Sequence, residues 1–413
     1  MNARHGKGRR AFLANSAALI AATAGTSFPA LSARAADAPR RIDVHAHYLP
    51  EKYRAALVEA GHSKPSGMPG IPAWSVQQHI EMMDRNGIAS SILSISAPGL
   101  HFGDDAAARG LARYVNEEGA KAMQAFPRRF GMFASLPLPE IDGSLKEIEY
   151  AFDVLKADGV VVQSNHNGVY LGDKRLDPVF AELDRRSARI FIHPTNPYCP
   201  CCSGQDPALL PPIGYPFPMI EFMFETTRAV FNLILSGTLA KYPNIKIIVP
   251  HAGATIPVLA DRVAGLSPAL GLREKLDVPR FYATLRELYY DLAGFPLPRQ
   301  VLPLLQIADP GHILYGSDWP YTPEALVKAL ARAFRWKRML ESGEYATIAE
   351  LAEREGIAPS YMTRVLRLTL LAPDIVEAIL DGKKGPGVTL AQVLEPFPLD
   401  WRHQRLDMIA RDG

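Results

Sequence analysis

At 413 residues, 48% hydrophobic and 21% charged, the chain can bury a large core, which excludes an intrinsically disordered protein. A formal net charge of +2 gives no whole-chain electrostatic basis for holding nucleic acid or an anionic membrane. All three cysteines lie in Cys199-Pro200-Cys201-Cys202, so no distant pair exists for a structural disulfide. Three thiols in four residues cannot readily surround one ion, and the cluster reads as part of a loop.

The N-terminus carries Gly8-Arg9-Arg10-Ala11-Phe12-Leu13, an apolar run over 17–24, and the small-x-small site Ala33-Arg34-Ala35. Paired arginines followed by Phe-Leu resemble a twin-arginine export signal. Residues 1–35 are therefore expected to engage the twin-arginine export machinery and to direct the protein to the periplasm. The apolar run is too short and alanine-rich to span a bilayer well, and nothing later in the sequence reads as a transmembrane helix.

From about residue 40 to 320, short β-branched runs alternate with longer helical patterns, which argues for parallel strands joined by helical crossovers. The runs predict strands at 41–47, 89–95, 130–136, 159–164, 190–193, 245–250, 288–291 and 313–316. Eight βα units over 37–323 specify a (β/α)8 TIM barrel, an α/β fold whose chemistry sits at the C-terminal ends of its strands. A Gly-, Pro- and Ser-rich insertion at 62–74 and a proline-rich one at 194–218, which holds the cysteine cluster, are expected at the barrel mouth.

The predicted strand ends carry metal chemistry. Asp43-Val44-His45-Ala46-His47 closes the first, and His193 closes the fifth. His251 follows the sixth and Asp318 follows the eighth. Two histidines two apart on a strand share one face, so both imidazoles can reach one cation. Imidazoles with a carboxylate suit Zn²⁺, with Mn²⁺ or Fe²⁺ as alternatives, and an open position would hold water of lowered pKa. The fourth strand ends Val162-Gln163-Ser164-Asn165 with no lysine to carboxylate, so a single metal is expected. Two further residues have two readings each. Arg228 can clamp a substrate carboxylate or pair with Glu225 or Glu221, and Asn165 can face the substrate or stabilise its loop.

With Gly168-Val169-Tyr170-Leu171-Gly172-Asp173, Ile192-His193-Pro194, Pro250-His251-Ala252-Gly253 and Gly316-Ser317-Asp318-Trp319-Pro320, these motifs resemble the amidohydrolase superfamily. Within it, they resemble the branch related to aminocarboxymuconate semialdehyde decarboxylase. The resemblance covers about 40–323. It implies His45, His47, His193 and Asp318 as metal ligands, and His251 as a general acid/base beside metal-bound water. It also implies a small carboxylate substrate, a homodimer, and non-oxidative decarboxylation of an aromatic or unsaturated acid. Hydrolysis of a C–O, C–N or C–C bond uses the same residues, with Asp318 taking the proton of the attacking water.

After Thr322-Pro323 the pattern becomes wholly helical. A helix over 325–340 with Leu326, Leu330 and Phe334 on one side leads to a pair of helices split by Glu355-Gly356-Ile357, the second capped by Ser360. About 326–405 resembles the helix-turn-helix tail of bacterial site-specific recombinases. That resemblance implies a separate helical region at 325–413, in which Arg364 and Arg367 would contact DNA. The barrel is then expected to lack its own final helix, truncated near residue 323 by an accidental junction; the alternative is a DNA-binding protein in which that truncated barrel is inactive.

Overall fold

The computed structural model describes residues 41–413 apart from 199–214, 272–275, 297–298, 323, 356, 381–392, 395, 402 and 405–413. The expected export signal and the cysteines at 199, 201 and 202 lie outside the described residues.

Among the described residues there are ten strands: β1 (Arg41–His47), β2 (Ile88–Ser94), β3 (Phe130–Ser135), β4 (Gly159–Gln163), β5 (Asn165–His166), β6 (Val169–Tyr170), β7 (Arg189–His193), β8 (Lys246–Val249), β9 (Tyr289–Asp291) and β10 (Ile313–Leu314). Eight form one sheet in the order β1-β2-β3-β4-β7-β8-β9-β10, and every neighbouring pair is parallel. The end of the last strand returns to the first: Val44 N donates to Tyr315 O at 3.0 Å and His47 N to Trp319 O at 2.8 Å. The result is a nearly closed TIM barrel, with each predicted strand present.

The barrel forms because its strand segments are apolar on both faces, as parallel strands covered by helices must be. Phe133, Val161, Phe191 and Ile248 belong to one inner cluster, while Met132, Val160, Val162, Ile190, Ile192, Ile247 and Val249 join the large cluster under the helices. This alternation sets direction: His193, two residues beyond Phe191, lies on the same inward side. β1 departs from regularity, with a register shift between Asp43 and Ala46. A bulge of this kind re-aims side chains, so Val44 belongs to the inner cluster while His45 and His47 both reach the site.

β5 and β6 are a hairpin that the sequence reading missed, pairing Asn165 with Tyr170 and His166 with Val169. Its two-residue turn is Asn167-Gly168, with φ of 49° and 84°, the left-handed pair that such a turn needs.

Helices follow the barrel. Glu324–Glu341 is the next element after β10, and Ile348–Glu355, Pro359–Leu366 and Pro373–Leu380 follow. They share a core of their own that includes Trp336, Leu351, Met362, Val365, Leu368 and Ile375. Two details differ from expectation. Phe334 is 41% exposed, and the helix buries Ala333 and Trp336 instead. The second helix of the expected pair starts at Pro359 with Ala358 as N-cap, not at Ser360, because proline's fixed φ suits the first helical position. Among the described residues no helix is long and apolar enough to cross a membrane.

Candidate metal centre

His45, His47, His193 and Asp318 converge, each offering one ligand atom, and those atoms all lie within 4.8 Å of one another. The three imidazoles are buried, and each commits Nδ1 to the protein. His45 Nδ1 donates to Asp291 Oδ2 at 2.8 Å, His193 Nδ1 to Pro194 O at 2.7 Å, and His47 Nδ1 to Ser94 O at 3.3 Å. Donation from Nδ1 fixes the tautomer and leaves each Nε2 lone pair facing the centre. His47 Nε2 lies 3.2 Å and His45 Nε2 3.4 Å from Asp318 Oδ1. His45 Nε2 is buried with no hydrogen-bond partner, an orphan that a cation would satisfy. The donor set fits a divalent ion, and this is a divalent metal site.

The supporting residues explain why the ligands converge. Asp43 Oδ1 accepts from His45 N at 3.1 Å and from Ser317 N at 3.0 Å, tying the first strand to the loop after the eighth. Asp318 N donates to His45 O at 2.7 Å. Asp318 itself has φ +57°, a left-handed conformation that aspartate tolerates better than most residues. Gly316 is needed for close approach, since a Cβ there would lie 2.8 Å from the Cβ of His45 and 3.0 Å from that of Ala293.

Asp291 was assigned no role in the sequence reading. Beyond holding His45, its Oδ1 accepts from His251 N at 3.0 Å and Ala293 N at 2.9 Å. The available signal was an acidic residue closing the apolar seventh barrel strand.

Charge within the cluster is mutual. Burial opposes protonation of His45, but the adjoining Asp291 carboxylate overrides it and raises the imidazole to about 10. Burial likewise pushes Asp318 up, yet the adjacent imidazoles of His251, His45 and His47 hold it well below the usual carboxylate range. Burial lowers both His47 and His193. A partly buried carboxylate among buried imidazoles thus attracts positive charge, which a cation supplies as well as protons do.

His251 stands beside this set, its Nε2 3.9 Å from Asp318 Oδ2, with φ +55°. His193, His251 and Asp318 line a cavity of about 600 Å³. Its other walls are mostly apolar, including Met68, Pro218, Met219, Phe222, Met223 and Phe295. Among the described residues no lysine or arginine lines it. The insertion expected at the mouth contributes Pro65, Ser66 and Met68.

Arg228 and Asn165 lie outside this lining. Arg228 is 55% exposed at its side chain and bonds Glu225 and Tyr170. Asn165 is buried, donating to Glu225 Oε2 at 2.9 Å and Asn196 O at 3.0 Å. The buried Glu225 thus fastens the β5–β6 hairpin to helix Glu221–Leu235. In the tail, Arg364 is exposed and Arg367 lies 5.3 Å from the Phe397 ring centroid.

The profile of the amidohydrolase family Amidohydro_2 matches residues 42–352, extending past the boundary expected at 323. The 6-methylsalicylic acid decarboxylase of Penicillium expansum is 38% identical over 287 residues, which span 68% of this chain and 86% of that protein. A crystal structure of an amidohydrolase II is 38% identical with a TM-score of 0.64, covering 70% of this chain and 92% of its own. The 5-carboxyvanillate decarboxylase of Novosphingobium aromaticivorans, complexed with manganese and 4-hydroxy-3-methoxy-5-nitrobenzoic acid, shares the fold. It is 23% identical with a TM-score of 0.59, over 68% of this chain and 86% of that one. With the metal site, the barrel and these likenesses together, the chain belongs to the amidohydrolase family, in its branch of aromatic-acid and aminocarboxymuconate semialdehyde decarboxylases.

Proposed function

We propose that the chain removes carbon dioxide from a small hydroxybenzoate of the 6-methylsalicylate type. It is a metal-dependent, non-oxidative decarboxylase and thus a carboxy-lyase. One observation carries the substrate class: His193 and Asp318 of the four-ligand cluster line a mostly apolar cavity with room for a substituted ring. The identity to the Penicillium enzyme supports the same class.

His45, His47, His193 and Asp318 would hold the divalent cation, which would supply fixed positive charge to attract the anionic substrate. Zinc is the ion we propose from the three imidazoles, and the manganese of the Novosphingobium enzyme keeps that ion as the competitor to test. His251 is placed to give a proton to the ring carbon that bears the carboxylate. The C–C bond to the carboxylate then breaks, its electron pair stays with the ring, and carbon dioxide leaves with no change of oxidation state. Phe222, Met223 and Phe295 exclude water from the ring face and orient it.

Incubating zinc- or manganese-loaded protein with 6-methylsalicylate should yield carbon dioxide and 3-methylphenol in equal amounts without a redox cofactor. A fully metallated protein that releases nothing from a panel of hydroxybenzoates would sink the proposal.

The chain ends carry two smaller proposals. Periplasmic export rests on the Arg9-Arg10 motif, and cell fractionation after mutation of both arginines tests it. DNA reading by the tail rests on the helix pair Ile348–Glu355 and Pro359–Leu366 with Arg364 exposed, and a gel shift that ignores Arg364→Ala would dismiss it.

A further inference from the structure

Ser66 is held in an unfavourable state twice over. Its backbone is left-handed, at φ +55° and ψ 25°, a region that a serine seldom occupies. Its hydroxyl is buried, on a residue 9% exposed, and has no hydrogen-bond partner. An unpartnered buried hydroxyl and a strained backbone each disfavour the fold, and such features persist where a ligand makes use of them.

The surroundings say which ligand. Ser66 lines the same cavity as His193, His251 and Asp318. It belongs to the segment between β1 and helix Val76–Arg85, which returns the chain to β2, so it lies on the C-terminal side of the barrel, over the strand ends. Gly67, also left-handed at φ +80°, packs so closely on Pro216 that an added Cβ would sit 3.2 Å from its Cα. The turn is thereby pinned against Pro216, at the start of the Phe217–Met219 segment. Thr322 Oγ1 donates to Asp318 Oδ2 at 3.0 Å and Ser96 Oγ lies 3.5 Å from His193 Nε2, whereas the Tyr321 hydroxyl on the same lining is buried and, like that of Ser66, has no hydrogen-bond partner. No cation lines the cavity among the described residues, and Lys64 is exposed. A second buried anion beside Ser66 would therefore lack compensation, whereas a neutral hydroxyl both gives and accepts one hydrogen bond.

We propose that the Ser66 hydroxyl is a specificity contact for a ring hydroxyl on the edge of the substrate remote from its carboxylate. This rests on the decarboxylase reading only in that the carboxylate faces the metal ligands. The geometry then favours dihydroxybenzoates over monohydroxybenzoates of the same shape.

The test is binding to the metal-loaded protein, by calorimetry, of 2-hydroxy-6-methylbenzoate and of 2,4-dihydroxy-6-methylbenzoate, alongside thermal unfolding. Wild type should prefer the dihydroxy acid by about tenfold, the worth of one well-made hydrogen bond. Ser66→Ala and Ser66→Gly should both lose that preference while holding the monohydroxy acid as before. Ser66→Gly should have an equal or higher Tm, because glycine accepts the left-handed backbone. A purely structural role predicts that Ser66→Gly changes Tm alone and keeps the preference, which overturns the proposal, as does wild type without preference. Wild type that binds both acids with this preference but releases carbon dioxide from neither counts against the decarboxylase reading and leaves the Ser66 contact standing.

Discussion

Replacing His45 and His47 together by alanine should leave the protein with little bound metal and cut carbon dioxide release by at least about a thousandfold, equivalent to roughly 4 kcal/mol of lost transition-state stabilisation. The double change removes two of four convergent ligands and leaves His193 and Asp318, too few donors to hold an ion through dialysis. Metal content by plasma emission spectrometry and initial rates with 6-methylsalicylate measure both effects. The change has a structural cost as well. Asp291 Oδ2 would lose its bond from His45 Nδ1 while remaining buried, and breaking a buried charged pair costs about 3–5 kcal/mol. His47→Gln alone separates the two effects, because His47 Nδ1 bonds only Ser94, and Asp318, which loses the Nε2 contact at 3.2 Å, keeps its bond from Thr322. That variant should stay folded by circular dichroism and still lose most of its metal. Full metal occupancy and a near-native rate in the double variant would remove this site from the chemistry.

The barrel and its ligands were legible because both depend on short-range signals. β-branched runs such as Val160-Val161-Val162 and Ile190-Phe191-Ile192 mark strands buried on two faces, and His193 simply ends the second of them. What stayed hidden depends on contacts distant in sequence. Asp291 acts on His45, 246 residues away, and nothing around Tyr290-Asp291 indicates which imidazole it meets. Ser66 lies in a loop whose direction is fixed by left-handed backbone and by Pro216, neither of which periodicity reveals. Arg228 shows the limit from the other side: its residue type allowed a carboxylate clamp, and its position beside Glu225, one helical turn back, was equally visible. The hairpin at Asn167-Gly168 was readable, since that dipeptide between β-prone residues is a strong turn signal. In the tail, Pro359 displaced the helix start expected at Ser360, a local rule outweighed by a stronger local one.

His251→Asn should keep its metal and lose about 10²- to 10⁴-fold in kcat, the range for removing a positioned general acid. Asparagine is the informative replacement. The residue sits at φ +55°, and asparagine tolerates left-handed backbone where most side chains do not. The backbone bond from residue 251 to Asp291 Oδ1 is also independent of the side chain. Metal content should therefore match wild type, which distinguishes this variant from the ligand substitutions. KM should change little if the carboxylate is held mainly by the cation, because the loss then falls on the proton transfer. Added imidazole should restore part of the rate, since the cavity of about 600 Å³ beside residue 251 can admit a small base, whereas an amide cannot carry the proton itself. A variant that keeps a third or more of wild-type kcat would exclude His251 as the proton donor. Loss of metal in step with activity would instead move His251 into the ligand set, the alternative that strand-end spacing alone leaves open.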